Sequence, residues 1–136
     1  MQRWTTRNGS IEMWYPAPRV VADRIVGHLD LELARHFSSR LAIKMAQGPL
    51  HVFSNWEQLE GYDSDVRVEL TSWALQHRRD FASIHVLVRS RLVAMGISVA
   101  NVALGGLMRA HTRRPDYEVA YSGAVSRVRG AAVAAL

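Results

Sequence analysis

The first third of the chain changes from strand patterns to a helix pattern. Ile11 to Tyr15 alternates apolar and polar side chains, and Arg19 to Leu29 is rich in β-branched residues, so we expect two strands. The intervening Pro16 to Pro18 predicts a turn, and the two strands should form a hairpin. Apolar residues spaced by four then predict a helix that Asp30 caps and that runs to about Gln47.

The rest of the chain alternates in the same way. Ser54 to Asp63 reads as a polar loop. The other predicted elements are a strand at Leu50–Phe53, a helix at about Asp65–Arg79, a strand at Phe81–Val88, a helix capped by Ser90, a strand at Leu107–His111 and a helix from Pro115. Alternating strands and helices predict an α/β fold with crossover connections. We expect a mixed, mostly parallel sheet of about five strands, an N-terminal β-hairpin and about four helices.

Length and composition fit one domain over residues 1–136, with tails at 1–9 and 130–136. The net charge of +5 arises almost wholly from Arg. Nucleic-acid binding would need basic residues and aromatic residues on one face, but the aromatic residues follow core-facing periodicities, so we expect no nucleic-acid partner. No apolar run reaches the roughly 18 residues that span a bilayer. We expect a cytoplasmic protein without a membrane span.

Candidate chemistry is sparse. The absence of Cys excludes a disulfide framework, a thiolate zinc site and a Cys nucleophile. The six His show no metal-ligand spacing, and the nucleophile-elbow, dinucleotide-binding and phosphate-loop motifs are missing. The sequence therefore predicts a protein that is not an enzyme and needs no cofactor or metal.

Two predicted helices begin at a Ser. Ser64 stands between Asp63 and Asp65, with Arg67 one turn later. A helix N-terminus favours a phosphate, but two neighbouring carboxylates oppose it and Arg67 offsets them only in part. Asp63 or Ser64 as a simple helix cap is the first interpretation, and a regulatory phosphorylation site at Ser64 is the alternative.

The second such Ser is Ser90, between Arg89 and Arg91. Two cationic neighbours make it the better anion or ligand site on physical grounds, although a cap after a buried strand is again the simpler interpretation. Both helix starts should follow the carboxyl ends of strands, where open α/β sheets bind ligands.

Two aromatic residues lie in the predicted polar loop. Trp56 and Tyr62 have no evident core to join, and exposed aromatic residues are typical of partner contacts. A Trp that folds back over the sheet edge is an equally good interpretation.

The element order resembles that of STAS domains, the fold of bacterial anti-sigma-factor antagonists, and more closely the branch related to lipid-binding SEC14 domains. The resemblance covers residues 10 to about 130, and it includes the Asp63–Ser64 pair and the segment VLVRSRLVAMGISVANVALGG. In the antagonists such a Ser is phosphorylated by a partner kinase, and phosphorylation breaks partner binding. Here Asp65 and Val66 replace the second Ser and the Gly of that motif.

The resemblance implies a non-enzymatic protein-interaction module in bacterial signalling or scaffolding, with Asp63, Ser64 and Arg67 as its contact or switch loop. The SEC14-related branch implies an alternative, a small-molecule or lipid carrier with a cavity beneath the helix Leu92 to Leu104. A third alternative is self-assembly, with the apolar tail AAVAAL packed against a second copy in a homodimer. The small and apolar residues of that helix lie along one predicted stripe: Leu92, Val93, Gly96, Val99, Ala100 and Ala103.

Overall fold

A single mixed sheet organises the computed structural model, which describes residues 1–135. Its seven strands within that range are β1 (Gln2–Thr5), β2 (Gly9–Ala17), β3 (Val20–Leu29), β4 (Leu50–Trp56), β5 (Leu59–Tyr62), β6 (Phe81–Val88) and β7 (Met108–His111). The order is β1-β2-β3-β4-β6-β7, and β5 pairs with the end of β3 beyond β4. The first two pairings are antiparallel and the other four are parallel. The predicted hairpin and mostly parallel sheet are confirmed.

Helices cover both faces of the sheet. Residues 1–135 contain four α-helices, namely α1 (Leu31–Lys44), α2 (Ser64–Gln76), α3 (Arg91–Ala103) and α4 (Arg114–Ala134), with single 3-10 turns at Met45–Gln47 and Arg78–Asp80. The first three pack on one face and α4 packs on the other. Alternation along β4 shows the division, because Val52 joins the core under α1 to α3 and Phe53 joins the core under α4.

The helix starts follow from local chemistry. Asp30 caps α1, since its carboxylate accepts a hydrogen bond from the Leu33 N–H at 2.9 Å. Ser90 caps α3 in the same way through the Val93 N–H at 3.3 Å. Both predicted caps are confirmed.

Two short strands lie where the sequence predicted none. Residues 1–9, expected to be a tail, include β1, whose four side chains are all exposed. A strand without a buried face has no apolar alternation, so its sequence carries no strand signal. The predicted loop Ser54–Asp63 contains the end of β4 and all of β5. At the other end, α4 extends to Ala134 and so includes most of the segment expected to be a tail from residue 130, of which residue 136 lies outside the described range.

None of the helices in the described range is both long enough and apolar enough to cross a lipid bilayer.

Candidate functional site

The junction of β5 and α2 carries the Asp63–Ser64 pair on the surface. Asp63 occupies the N-cap position and Ser64 is the first helical residue, with both side chains exposed. Asp63 makes no side-chain cap bond, because its carboxylate turns to His28, whose Nε2 lies 2.7 Å from Oδ1. Asp63 is therefore the N-cap residue of α2, as the cap interpretation predicted, but its side chain makes no cap hydrogen bond. The junction presents an exposed hydroxyl beside a carboxylate that pairs with His28.

Arg67, one turn further along α2, is half-buried and lines a cavity between α2 and α3. No ion pair within residues 1–135 includes it. Arg67 therefore lines this cavity, whereas Asp63 and Ser64 are exposed on the surface.

The outer side of α3 is apolar and uncovered. We call this surface the α3 row, and its members are 54%, 63%, 51% and 84% exposed: Leu92, Met95, Val99 and Val102. Their spacing of three and four residues places them on one side of the helix. The opposite side of α3 is buried through Val93, Gly96, Ile97 and Ala100. The stripe predicted from the sequence mixed these two sides.

The α3 row begins beside the junction. A Leu92 methyl carbon lies 3.9 Å from the position that a Cβ atom at Gly61 would occupy. Tyr62 crosses α3 at Gly96, where an added Cβ would overlap the Tyr62 hydroxyl, so glycine permits the crossing. The half-buried Tyr62 thus lies between the junction and the inner side of α3.

Trp56 lies in the core, which contradicts the partner-contact interpretation of this residue and favours the alternative of a Trp that folds back onto the sheet. It is 9% exposed, and its indole Nε1 donates a hydrogen bond to Asp23 Oδ1 at 3.0 Å. Ser54 donates to the other carboxylate oxygen of Asp23 at 2.5 Å. Because β4 pairs with β3 in parallel register, Ser54 lies opposite Asp23, and Trp56 follows on the same side. The indole packs inward because its N–H finds this acceptor.

Sequence reasoning did not identify Asp23 as part of a site. It is fully buried, and burial raises the pKa of its carboxyl to about 7, against the opposing effect of the hydrogen bonds from Ser54 and Trp56. The available signal was one acidic residue in the apolar run Val20 to Ile25. Burial of a carboxyl that is not paired with a cation costs free energy, so buried carboxyl groups of this kind are uncommon in proteins.

A cavity of about 110 Å³ lies in front of this cluster. Sheet residues form its floor and α2 and α3 form its walls, and nearly all of the lining is apolar. The polar side chains that reach it include Ser54 and Arg67. It occupies the place between sheet and α3 that the carrier alternative required.

The second predicted anion site has a structural role. The Ser90 hydroxyl accepts the α3 cap bond, while Arg89 and Arg91 are exposed on either side. Anion binding by these three residues stays a prediction.

A His pair lies on the other face of the sheet. His85 Nδ1 and His111 Nε2 are 2.9 Å apart, and the His85 ring stacks on Phe53 at 4.8 Å. Burial lowers the pKa of His85 to about 4. No group of three His, Cys, Asp or Glu among residues 1–135 is placed to hold a metal ion, and the pair is accounted for by packing.

Comparisons with known proteins identify the fold. No family model matches the sequence, and no curated protein matches it. Among solved structures, an uncharacterized protein of the DUF3478 family with a SpoIIAA-like fold, from Shewanella loihica PV-4, is similar at 17% identity and a TM-score of 0.62, over 84% of this chain and 95% of that one. The anti-sigma factor antagonist SpoIIAA in its unphosphorylated form is similar at 19% identity and a TM-score of 0.58, over 88% and 96%. The predicted STAS-like fold is thus confirmed.

Proposed function

We propose that the protein is a non-enzymatic interaction module of a bacterial signalling or scaffolding system in the cytoplasm. Its partner surface is the α3 row together with the exposed Asp63–Ser64 junction. The single observation that carries this proposal is the row of four exposed apolar side chains on α3. Contiguous apolar surface of this kind on a folded domain is typical of a protein-contact site.

The junction supplies the regulated part of that surface. Ser64 is exposed and lies at the start of a helix whose first N–H groups favour an anion. His28 already pairs with Asp63, which reduces the carboxylate repulsion that a phosphate on Ser64 would meet. A phosphate would add about −1.5 to −2 charge next to the α3 row and weaken the binding of an apolar partner surface. Phosphorylation of Ser64 is therefore the proposed switch.

Site-specific crosslinking in cells of the native host tests the surface. A photo-crosslinking amino acid placed at Val99 should capture one discrete protein, identified by mass spectrometry. The matched control places the same amino acid at Val119, which is 74% exposed on α4 across the sheet, and it should not capture that protein. Equal products from the two positions would contradict the proposed surface, and capture of a second copy of the chain would support the self-assembly alternative instead.

Reconstitution with the captured protein then tests the switch. Val99→Asp should weaken binding at least about tenfold because it charges the centre of an apolar contact, whereas Val119→Asp should leave the Kd unchanged. Ser64→Asp should weaken binding and Ser64→Ala should not. Equal affinities for these two Ser64 variants, with no phosphate found on Ser64 in host-purified protein, would remove the switch from the proposal and leave the surface.

A further inference from the structure

A partly open apolar cavity lies between the sheet and the helices α2 and α3. Val66 and Leu70 of α2, Ile84 of β6 and Ile97 of α3 line it. Side chains in protein cores normally interdigitate and leave few voids larger than water. Here α2 buries only Val66 fully, so this helix covers the sheet loosely and leaves about 110 Å³ unfilled. An apolar cavity of this kind stays dry unless an apolar molecule fills it.

Arg67 gives the cavity one cationic wall. Its side chain is half-buried, and within residues 1–135 it takes part in no ion pair, although other arginines of the chain, such as Arg35 with Glu69, do. A guanidinium held against apolar side chains offers a fork of N–H donors that matches a carboxylate. Asp65 and Glu69 lie on the same helix, so a monoanion suits this position better than a dianion.

The opposite polar group sets the orientation of a ligand. Ser54 is hydrogen-bonded to the buried Asp23 carboxyl, so this end of the cavity holds an acidic group. Of the two groups, Arg67 is the cation that attracts an anion. The charged end of a ligand therefore belongs at Arg67, and its apolar body belongs against the sheet.

The size of the cavity limits that body. An engineered cavity of roughly 150 Å³ in another protein binds benzene. This cavity is smaller, at about 110 Å³, so it has room for at most one ring or a short branched chain, and the rest of the ligand would project towards Arg67.

We propose that this cavity is a binding site for a small apolar monocarboxylate, with the carboxylate on Arg67 and a ring-sized apolar body between Ile84 and Ile97. The site is distinct from the proposed partner surface, because the lining is internal whereas the α3 row faces outward. It gives the carrier alternative a specific ligand class and does not depend on a protein partner.

Titration of unphosphorylated protein with phenylacetate, followed by methyl NMR, tests the site. Resonances of Val66, Ile84 and Ile97 should shift in a saturable way. Methyl groups of Val20 and Val128 are the internal control, since they lie in the core on the other face of the sheet, and they should not shift. Benzyl alcohol, which has the same ring without the charge, should bind about tenfold more weakly because it loses the charge-assisted hydrogen bonds.

Two matched pairs of variants assign the effect. Arg67→Met keeps an apolar stem and should reduce phenylacetate affinity to that of benzyl alcohol, while Arg79→Met, at an exposed position outside the cavity, should have no effect. Ala74→Leu adds bulk to the lining and should abolish binding of both probes, while Ala42→Leu on the exposed side of α1 should not.

Shifts shared equally by control methyl groups, or equal affinity of the wild type and Arg67→Met for phenylacetate, would overturn the proposal. Retained binding in Ala74→Leu would place the ligand elsewhere and overturn it as well. Unfolding midpoints of all four variants show whether each variant is folded. A folded variant that does not bind the probe has lost the binding site and not its structure.

Discussion

At the scale of single residues, Asp23 is a fully buried carboxyl. Its two carboxylate oxygens accept hydrogen bonds from Trp56 and Ser54, and no cation among residues 1–135 joins them. Hydrogen bonds stabilise the charged form, but complete burial opposes it more strongly and raises the pKa to about 7. The Asp23 side chain thus links folding stability to pH through one buried proton.

Replacement of this residue should change that dependence. Because the pKa of Asp23 is about 7 in the folded protein and 3.8 in an unfolded chain, the folded state holds an extra proton between these pH values. Stability therefore falls as the pH rises from about 4 to about 7. Asp23→Asn carries no charge and keeps a donor and an acceptor, so it should be more stable than the wild type by roughly 2 to 4 kcal/mol at pH 8.

Urea unfolding of both proteins at pH 4.5 and pH 8 measures this difference. The advantage of Asp23→Asn should shrink towards zero at the lower pH. Glu118→Gln, at an exposed position on α4, is the control and should show no comparable pH-dependent gain. A constant difference between wild type and Asp23→Asn at both pH values would contradict the buried-proton interpretation.

At the scale of elements, the β1–β2–β3 sheet edge depends on close backbone approach. Gly27 has φ +91°, and a Cβ atom there would lie 2.8 Å from the Asn8 carbonyl oxygen. Both the left-handed backbone and the lack of space require glycine. Gly130, in contrast, lies on α4 with no atom within 4 Å of an added Cβ.

The same substitution at these two glycines should therefore have opposite effects. Gly27→Ala should lower the free energy of unfolding by about 1 to 3 kcal/mol, because the new Cβ strains the backbone and clashes with the Asn8 carbonyl oxygen. Gly130→Ala should raise it by about 0.5 to 1 kcal/mol, because alanine is the better helix former. Chemical denaturation measures both, and equal signs would contradict the geometry described.

The orientation of α3 is also decided at the scale of elements. The helix has two apolar sides, the buried one with Val93 and Ile97 and the exposed one with Met95 and Val99. Periodicity alone does not decide which of two apolar sides turns inward, since both repeat every three to four residues. Gly96 favours its own side as the inner one, because an added Cβ there would overlap the Tyr62 hydroxyl.

At the scale of the whole molecule, the two outer surfaces differ. The surface of the α1–α3 layer includes the continuous α3 row, whereas the α4 layer exposes Val119 and Val133 fourteen positions apart. A contiguous apolar patch promotes association in a way that scattered apolar residues do not. The α3 side should therefore dominate the solubility of the free chain.

Two lysine substitutions test this asymmetry. Val99→Lys, within the α3 row, should raise the ammonium sulfate concentration that precipitates the protein clearly more than Val119→Lys does, since each adds the same charge but only the first interrupts a patch. Precipitation curves at equal protein concentration measure the effect. If the two variants precipitate alike, added charge alone explains the change and the α3 row is not a dominant association surface.

Local signals along the chain were enough to establish the order of elements and the fold. The strand pattern of Phe81–Val88, the caps at Asp30 and Ser90 and the hairpin turn are such signals, because periodicity, capping and turn chemistry depend on neighbouring residues. These signals sufficed for the α/β order and the STAS-like resemblance. They also drew attention to Ser64, which is exposed at the start of α2.

Only the tertiary structure shows which side chains contact each other. The sequence left both an exposed and a folded-back Trp56 open, and in the structure its indole lies in the core and donates a hydrogen bond to Asp23 on the neighbouring strand, 33 positions earlier. The Asp63 carboxylate pairs with His28 and not with the α2 backbone, and Arg67 lies against a cavity formed by α2, α3 and the sheet. Strand register and helix packing set these contacts between residues far apart in the chain, and local patterns carry no information about either.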